Sequence, residues 1–322
     1  MLDYVWILDG NLAVSSMPRA EDVGCLADVF DCVVVLAESF ELDYELDLWS
    51  TYGVECIHCP IPDFRPPHLL TLYRIVKWIY DRICSGRSVL VHCVGGLGRS
   101  GTVDSAYLVY AEMFDWLGAI RFVRKRRSGA VETRGQVAVV EALDFMLKCL
   151  SKRAINAVID VGSKYDFGRG IGHASKVTQL SLKLWYQLRD LLGLDITGAS
   201  ALTIASILHD VGVCFNEMNH HLWSYKVFLK NKDILLKYID GEVLDVAGYL
   251  IYHHRRRTGD PMKDENIPAN LRLYVVKLAA IIRFADGFDR SLSQVVDDVK
   301  CELLRDELIV NVYGIDYCEY DI

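Results

Sequence analysis

Ser88-Val89-Leu90-Val91-His92-Cys93-Val94-Gly95-Gly96-Leu97-Gly98-Arg99-Ser100-Gly101 decides how the first half of this chain is read. Residues 88–91 are a short apolar, β-branched run that reads as a strand. Gly95, Gly96 and Gly98 suit a tight turn, and the apolar segment Thr102 to Tyr110 suits a helix. Strand, glycine turn and helix start bring backbone N–H groups together in a nest that holds an anion. Cys93 stands in that field, where a helix N-terminus and a nearby arginine both favour the thiolate. Arg99, six positions on, can fork two hydrogen bonds onto phosphate oxygens.

Working outward, Cys32-Val33-Val34-Val35-Leu36 is an unbroken apolar run of the kind a parallel strand buried on both faces requires. In Pro60-Ile61-Pro62-Asp63-Phe64 the two prolines stiffen the chain ahead of Asp63 and disfavour helix. Asp63 is a candidate general acid; the alternative is a turn carboxylate that caps a backbone N–H.

The Cys93–Arg99 spacing, with His92, the glycines and Ser100, resembles the signature of the cysteine-dependent protein tyrosine and dual-specificity phosphatases. The likeness covers residues 1–150, in the manner of the compact archaeal and bacterial dual-specificity enzymes, with Asn11 to Pro18 as the first strand and turn. It implies an α/β cysteine-phosphatase fold, a central mostly parallel sheet flanked by helices, working without a cofactor. Cys93 would attack phosphorus and form a phosphocysteine. The nest from Val94 through Gly95, Gly96 and Leu97 to Gly98, with Arg99, would neutralise the charge on the equatorial oxygens. Asp63 would protonate the leaving group and then activate water. Ser100 would donate to the departing sulfur, and His92 would prop the loop and help set the cysteine pKa. Glu132, Thr133 and Gln136 stand where related enzymes orient the hydrolytic water; a polar helix start with a capping threonine is an equal reading. No lysine lies between Val94 and Gly98, which argues for phosphotyrosine or another singly phosphorylated protein or small-molecule substrate. The basic run Arg121 to Arg127 reads first as a solvated helix end, with an acidic-peptide site as the alternative.

Of nine histidines, six follow residue 170: His173, His209, His220, His221, His253 and His254. Val177, Leu180, Leu184, Leu188 and Leu191 follow a helical period after His173. Ala201 to Leu208 is a small-apolar helix that ends in His209-Asp210-Val211-Gly212, and Leu271 to Ala285 is an apolar helix that delivers Asp286 into the interior. Mixed imidazole and carboxylate donors suit manganese, iron, zinc or magnesium. The order His, His-Asp, Asp resembles the HD superfamily of metal-dependent phosphohydrolases. More narrowly, residues 155–320 resemble the C-terminal module of the exopolyphosphatase/guanosine pentaphosphatase family. The main phosphatase site of that family lies in an actin-like domain with no counterpart here, so polyphosphate hydrolysis does not transfer by name. The resemblance implies metal ligation by His173, His209, Asp210 and Asp286, and by His220 and His253 at a second ion, with His254 and His221 ranked below. This all-α HD module would bind a divalent metal and hydrolyse or sense a phosphorylated small molecule. The alternatives are a nucleotide or polyphosphate phosphohydrolase as the main activity, or a non-catalytic regulatory module that senses a ligand or dimerises.

A chain of 322 residues can fill two cores, and the expected division is 1–150 and 151–322, with a small hairpin (298–303 and 307–312 around Arg305-Asp306) capping the second. Net charge is −8 and neither half is basic, which argues against a general nucleic-acid binder. No apolar run reaches about 18 residues, so a membrane span is not expected and a cytoplasmic protein is, with a homo-oligomer left open. The ten cysteines show no metal-ribbon spacing, and a catalytic thiolate calls for a reducing compartment.

Overall fold

A computed structural model describes residues 3–305 and 307–314. Contacts divide the chain into two units. One runs to Pro67 and includes Thr71–Asp144; the other takes His68–Leu70 and continues from Phe145.

The first unit is built from β1 (Tyr4–Leu8), β2 (Leu12–Ser15), α1 (Val23–Ala27), β3 (Cys32–Val35), α2 (Asp47–Thr51), β4 (Glu55–His58), α3 (Leu69–Cys84), β5 (Val89–His92), α4 (Gly98–Tyr110) and α5 (Trp116–Arg126). α6 (Arg134–Cys149) follows, and the division between units falls within it. The sheet order is β1-β2-β5-β3-β4, with β5 at the centre. β2, β5, β3 and β4 run parallel, and β1 joins β2 antiparallel, so the sheet is mixed. Every residue of β3, and Val89, Leu90 and Val91 of β5, is fully buried, which is why these strands are unbroken apolar runs. β1 was not expected. Its Tyr4 and Trp6 pack on Phe30 at one edge of the core.

Parallel register sets Ser15 of β2 and Val35 of β3 beside His92 at the end of β5. The chain that leaves β5 is therefore pinned from both sides: Val94 O accepts from Met17 N at 2.9 Å and His92 O from Leu36 N at 2.9 Å. α4 opens at Gly98 rather than Thr102, because Leu97 O already accepts from Gly101 N at 2.9 Å. It is buried along its whole length, which explains a sequence with no polar face.

The second unit contains α7 (Lys152–Ser163), α8 (Gly170–Leu192), α9 (Ile196–Leu208), α10 (His220–Leu235), α11 (Gly241–His253) and α12 (Arg272–Gly287). A hairpin of β6 (Val296–Leu304) and β7 (Glu307–Gly314) follows. Gly193, left-handed at φ 63°, ends α8, and Asp195 caps α9 by accepting from Gly198 N at 3.2 Å. α9 is buried from Gly198 onward, as a small-residue helix packed between α8 and α11 must be. Asp306 of the expected turn, and the end of the expected 155–320 cover, lie outside the described residues. No described helix is long and apolar enough to cross a membrane, and the nine described cysteines are all free.

Leu90, at 0% exposure on the central strand, is the sharpest test of this core. Leu90→Ala is expected to cost about 2–5 kcal/mol through lost transfer energy and a residual cavity. Urea unfolding followed by tryptophan fluorescence measures it; a change under about 1 kcal/mol would contradict the buried central placement.

Candidate functional site

The turn from Cys93 to Leu97 closes around the cysteine sulfur. Gly96 N donates to Cys93 Sγ at 3.2 Å, and Cys93 is buried. Gly96 holds φ +66°, and a Cβ there would overlap the Ser15 carbonyl, so only glycine suits this approach. A Cβ on Gly98 would likewise overlap Glu132 and Gln136. The Gly96 amide thus faces the sulfur from close range, and α4 begins two residues on, the makings of an anion seat built of main chain.

Arg99 is a buried guanidinium, 2% exposed. Its Nη1 donates to Glu41 Oε2 at 2.6 Å and to Ile61 O at 3.0 Å; Nη2 donates to Glu41 Oε1 at 3.1 Å and lies 3.2 Å from Asp63 Oδ1. The Arg99 hydrogen bonds hold the Glu41 carboxyl below the usual carboxylate range, although burial opposes them. Sequence reading missed Glu41. It sits 58 positions from Arg99, and only the need to neutralise a buried cation could have asked for it. Asp63 is brought to the site on the stiffened Pro60–Pro62 loop, its side chain 54% exposed, and it also accepts from Phe64 N at 3.0 Å. The turn-capping contact weighed for Asp63 is present, in a carboxylate that also stands beside Arg99. Phe64 adopts φ +58°, which turns the chain sharply after it.

His92 is fully buried in a one-way hydrogen-bond chain. Cys93 O can only accept, so His92 Nδ1 donates to it at 3.1 Å, and Nε2 takes the Tyr44 hydroxyl at 2.7 Å. Tyr44 in turn accepts from Trp49 Nε1 at 3.1 Å. Burial pushes the His92 pKa down to about 4. A neutral ring reaches the cysteine through the backbone, not through charge.

Ser100 departs from expectation. Its Oγ is fully buried and makes no hydrogen bond among the described residues, to Cys93 or anything else. One turn along α4, both oxygens of Asp104 are equally buried and unpartnered, and burial with the nearby Cys93 charge raises its pKa well above the usual range. Gln136 Oε1 accepts from Glu132 N at 2.8 Å and Thr133 N at 3.2 Å, while Thr133 caps α6 by accepting from Gln136 N at 3.2 Å. The capping reading is what this segment displays, with Gln136 Nε2 left buried beside Gly98.

The basic run at the end of α5 is largely the solvated helix end expected of it, with Arg121, Arg124, Lys125 and Arg126 exposed, but Arg127 turns inward. Arg127 chelates Asp3 at 3.0 Å through both Nη atoms and donates to Gly95 O at 3.2 Å and Gly96 O at 3.3 Å. Arg124 donates to Ala130 O at 2.9 Å and Val131 O at 2.7 Å, and Arg126 lies over the Phe122 ring. Arg127 thus supports the loop directly, through Gly95 and Gly96.

In the second unit the imidazoles gather in two groups whose donor atoms all lie within 4.8 Å: His173, His209 and Asp286, then Asp210, His220 and His254. Asp210 bridges them. Its Oδ2 lies 3.6 Å from both His173 Nε2 and His209 Nε2, and its Oδ1 lies 3.0 Å from His220 Nε2 and 3.7 Å from His254 Nε2. Asp286 Oδ1 stands 3.2 Å from His173 Nε2. The outer nitrogens are fixed by acceptors: His173 on Asp289 at 2.9 Å, His209 on Ser206 O at 2.8 Å, His220 on Glu217 O at 2.7 Å and His254 on Ile251 O at 2.8 Å. Each inner Nε2 is thereby a lone pair aimed inward, and these face one another at 3.3 Å for His173–His209 and 3.0 Å for His220–His254. Bare lone pairs at such range repel unless a proton or cation lies between them. Burial works against charging His173, but hydrogen bonds to Asp286 and Asp289 lift its pKa to about 9. Asp210 and Asp286 fall well below the usual range despite burial, because imidazoles surround them.

Two expectations are corrected here. His253 is not in the cluster; its Nε2 meets Asp264 at 2.8 Å and its Nδ1 the Thr258 hydroxyl at 3.2 Å, and His254 takes the place expected of it. Asp286 is not delivered into the interior but lies on a cavity wall with its side chain 35% exposed. His221 stays outside both groups, against the Tyr252 ring.

Residues 3–140 match the family described as the Swiss Army Knife protein, DSP-PTPase phosphatase domain. Over 90 residues the chain is 37% identical to cyclin-dependent kinase inhibitor 3 of Rattus norvegicus, covering 27% of this chain and 42% of that protein. Over 147 residues it is 28% identical to phosphatidylglycerophosphate phosphatase PTPMT2 of Arabidopsis thaliana, covering 45% and 64%. The chain thus spans less than two thirds of either relative's length. The crystal structure of Tk-PTP in the active form is 46% identical over 44% of this chain and 96% of its own, with a TM-score of 0.43.

The buried His92 predicts an acid response. The unfolded ring binds a proton below its ordinary 6.5 whereas the folded ring resists until about 4, so stability falls as pH drops through that window. Thermal melts between pH 7 and 4 should therefore show a slope about one proton smaller in His92→Asn than in wild type. Identical slopes would mean that the ring is solvated.

Proposed function

Residues 3–140 form a cysteine-type dual-specificity/protein tyrosine phosphatase domain, and on that premise we propose that the chain hydrolyses phosphomonoesters through a phosphocysteine on Cys93, with phosphotyrosine-like aryl esters as substrates. The reading rests on one observation above all: the Cys93 sulfur receives the Gly96 amide in a loop whose arginine is already oriented by Glu41.

The Sγ lone pair attacks phosphorus in line, the S–P bond forms, and the ester O–P bond breaks as Asp63 gives its proton to the leaving oxygen. Water then loses a proton to Asp63 and attacks phosphorus, the S–P bond breaks, and the thiolate returns. The amides and Arg99, its Nη2 exchanging Asp63 for the phosphoryl group, meet the equatorial oxygens, where charge is greatest in the transition state. Ser100 has a free hydroxyl to offer the departing sulfur at the second step. Aryl specificity is supported by two exposed aromatic residues, Phe40 and Phe64, 83% and 55% exposed, which neighbour Glu41 and Asp63 in sequence. The absence of lysine between Val94 and Gly98 supports a single phosphate.

Cys93→Ser should abolish turnover of an aryl phosphate, and EDTA should leave the wild-type rate intact. Asp63→Asn should slow phenyl phosphate by about 10²–10⁴-fold, and dinitrophenyl phosphate far less, since a good leaving group needs no acid. Wild-type activity in Cys93→Ser would remove the assignment.

A second reading concerns the helical unit: an HD-type module that takes divalent metal and hydrolyses or senses a phosphorylated small molecule. The inward-facing imidazole lone pairs support it. His173, His209, Asp210 and Asp286 would hold one ion, and Asp210, His220 and His254 a second, a mixed nitrogen and oxygen set suited to manganese, iron, zinc or magnesium. A bound divalent ion supplies Lewis acidity and a more acidic water. Elemental analysis should find metal in the purified protein, reduced by His254→Ala and unchanged by His253→Ala. A wild-type protein that takes up none would sink this reading.

A further inference from the structure

Beside the histidine–aspartate cluster lies a cavity of about 490 Å³ whose wall is strongly cationic. Arg169, Arg255, Arg257, Arg283 and Arg290 line it, against Asp210 and Asp286, in a chain whose net charge is −8. Local excess of one sign, opposite to that of the whole molecule, marks a binding wall more than a solubility feature.

The five arginines are not equivalent. Arg169 is engaged with Asp210 at 2.9 Å and Glu217 at 3.4 Å. Arg283 supports the wall by donating to His253 O at 2.8 Å and Arg255 O at 3.2 Å, and Arg255 donates to Met218 O at 3.0 Å. Arg257 and Arg290 line the same cavity and make no hydrogen bond or ion pair among the described residues. Two unengaged guanidiniums beside a candidate metal cluster exceed what one phosphate requires if that phosphate is met by the cluster itself. Guanidinium forks match phosphate and carboxylate oxygens.

We infer that this cavity takes a small molecule with two anionic groups, a phosphate at the histidine–aspartate cluster and a second phosphate or carboxylate at Arg257 and Arg290. The position of the first group rests on the metal reading above; the role of the two arginines rests on the cavity lining.

The test is calorimetric titration of the full-length protein, manganese-loaded and EDTA-treated, with methylphosphonate, methylenediphosphonate and phosphonoacetate. In the loaded protein methylenediphosphonate should bind at least about tenfold tighter than methylphosphonate. The double variant Arg257→Ser with Arg290→Ser should lose that advantage while its manganese content, melting temperature and aryl phosphate hydrolysis stay at wild-type values. Comparison of variant with parent cancels whatever the Cys93 loop binds. Phosphonoacetate that matches methylenediphosphonate supports recognition of charge; phosphonoacetate that matches methylphosphonate supports recognition of a second phosphate. An advantage that survives in the double variant, or is absent from the parent, overturns the inference. Should the parent take up no manganese, the metal reading alone fails, and the same comparison in EDTA still decides the arginines.

Discussion

Arg99 is a permanent cation taken out of water, and the surroundings of the Cys93 loop are arranged to satisfy it. A buried guanidinium with no partner would cost roughly 3–5 kcal/mol. Glu41 answers with both carboxylate oxygens, Ile61 with a carbonyl, and Asp63 with a third anionic contact. One charge thereby joins the first turn of α4 to the connection after β3 and to the proline-stiffened loop after β4. The same contacts that satisfy the cation also aim it. A phosphoryl group arriving at the loop meets a guanidinium already held in position, and only its contact with the exposed Asp63 has to give way.

The second unit meets a related constraint with imidazoles and carboxylates. Imidazoles buried at 5% exposure or less must place their nitrogens, and backbone carbonyls take one nitrogen from each of His209, His220 and His254. With the tautomers so fixed, the remaining lone pairs converge about Asp210. A fold that only needed to bury these rings would turn the nitrogens toward separate partners, as it does for His253 with Asp264 and Thr258. Convergence is instead a cost, relieved only when protons or a cation occupy the space between the rings.

What could be read from sequence divides along the distance between partners. The strand, glycine turn and helix around Cys93, the buried run from Cys32 to Leu36, and the stiffened approach to Asp63 are local patterns, and they emerge at the expected places. Glu41 and Arg127 were not foreseen as parts of the loop's support, because each acquires its role from residues distant in sequence. Tyr44 and Trp49, which fix the His92 tautomer, belong with them. The exchange of His253 for His254 shows the limit most clearly. Adjacent residues at a helix end point about 100° apart, so which of them faces the cluster depends on how α11 is rotated, and no local pattern states that. β1 was missed for a different reason: it pairs with β2 across an irregularity at the sheet edge, where alternation is weakest.

The loop's resting state also carries polar groups that nothing satisfies. Ser15 Oγ, Ser100 Oγ, Gln136 Nε2 and both oxygens of Asp104 are buried without hydrogen bonds among the described residues. Such groups are few in native proteins and collect where function requires them. For Asp104 the physics admits one form at neutral pH. An unpaired carboxylate at 0% exposure is far costlier than the acid, and negative charge at Cys93 pushes the same way. The helix that faces the nest with its N-terminus therefore holds a neutral acid one turn beyond Ser100. A neutral Asp104 adds no charge to compete with that of the sulfur or of a phosphate in the nest.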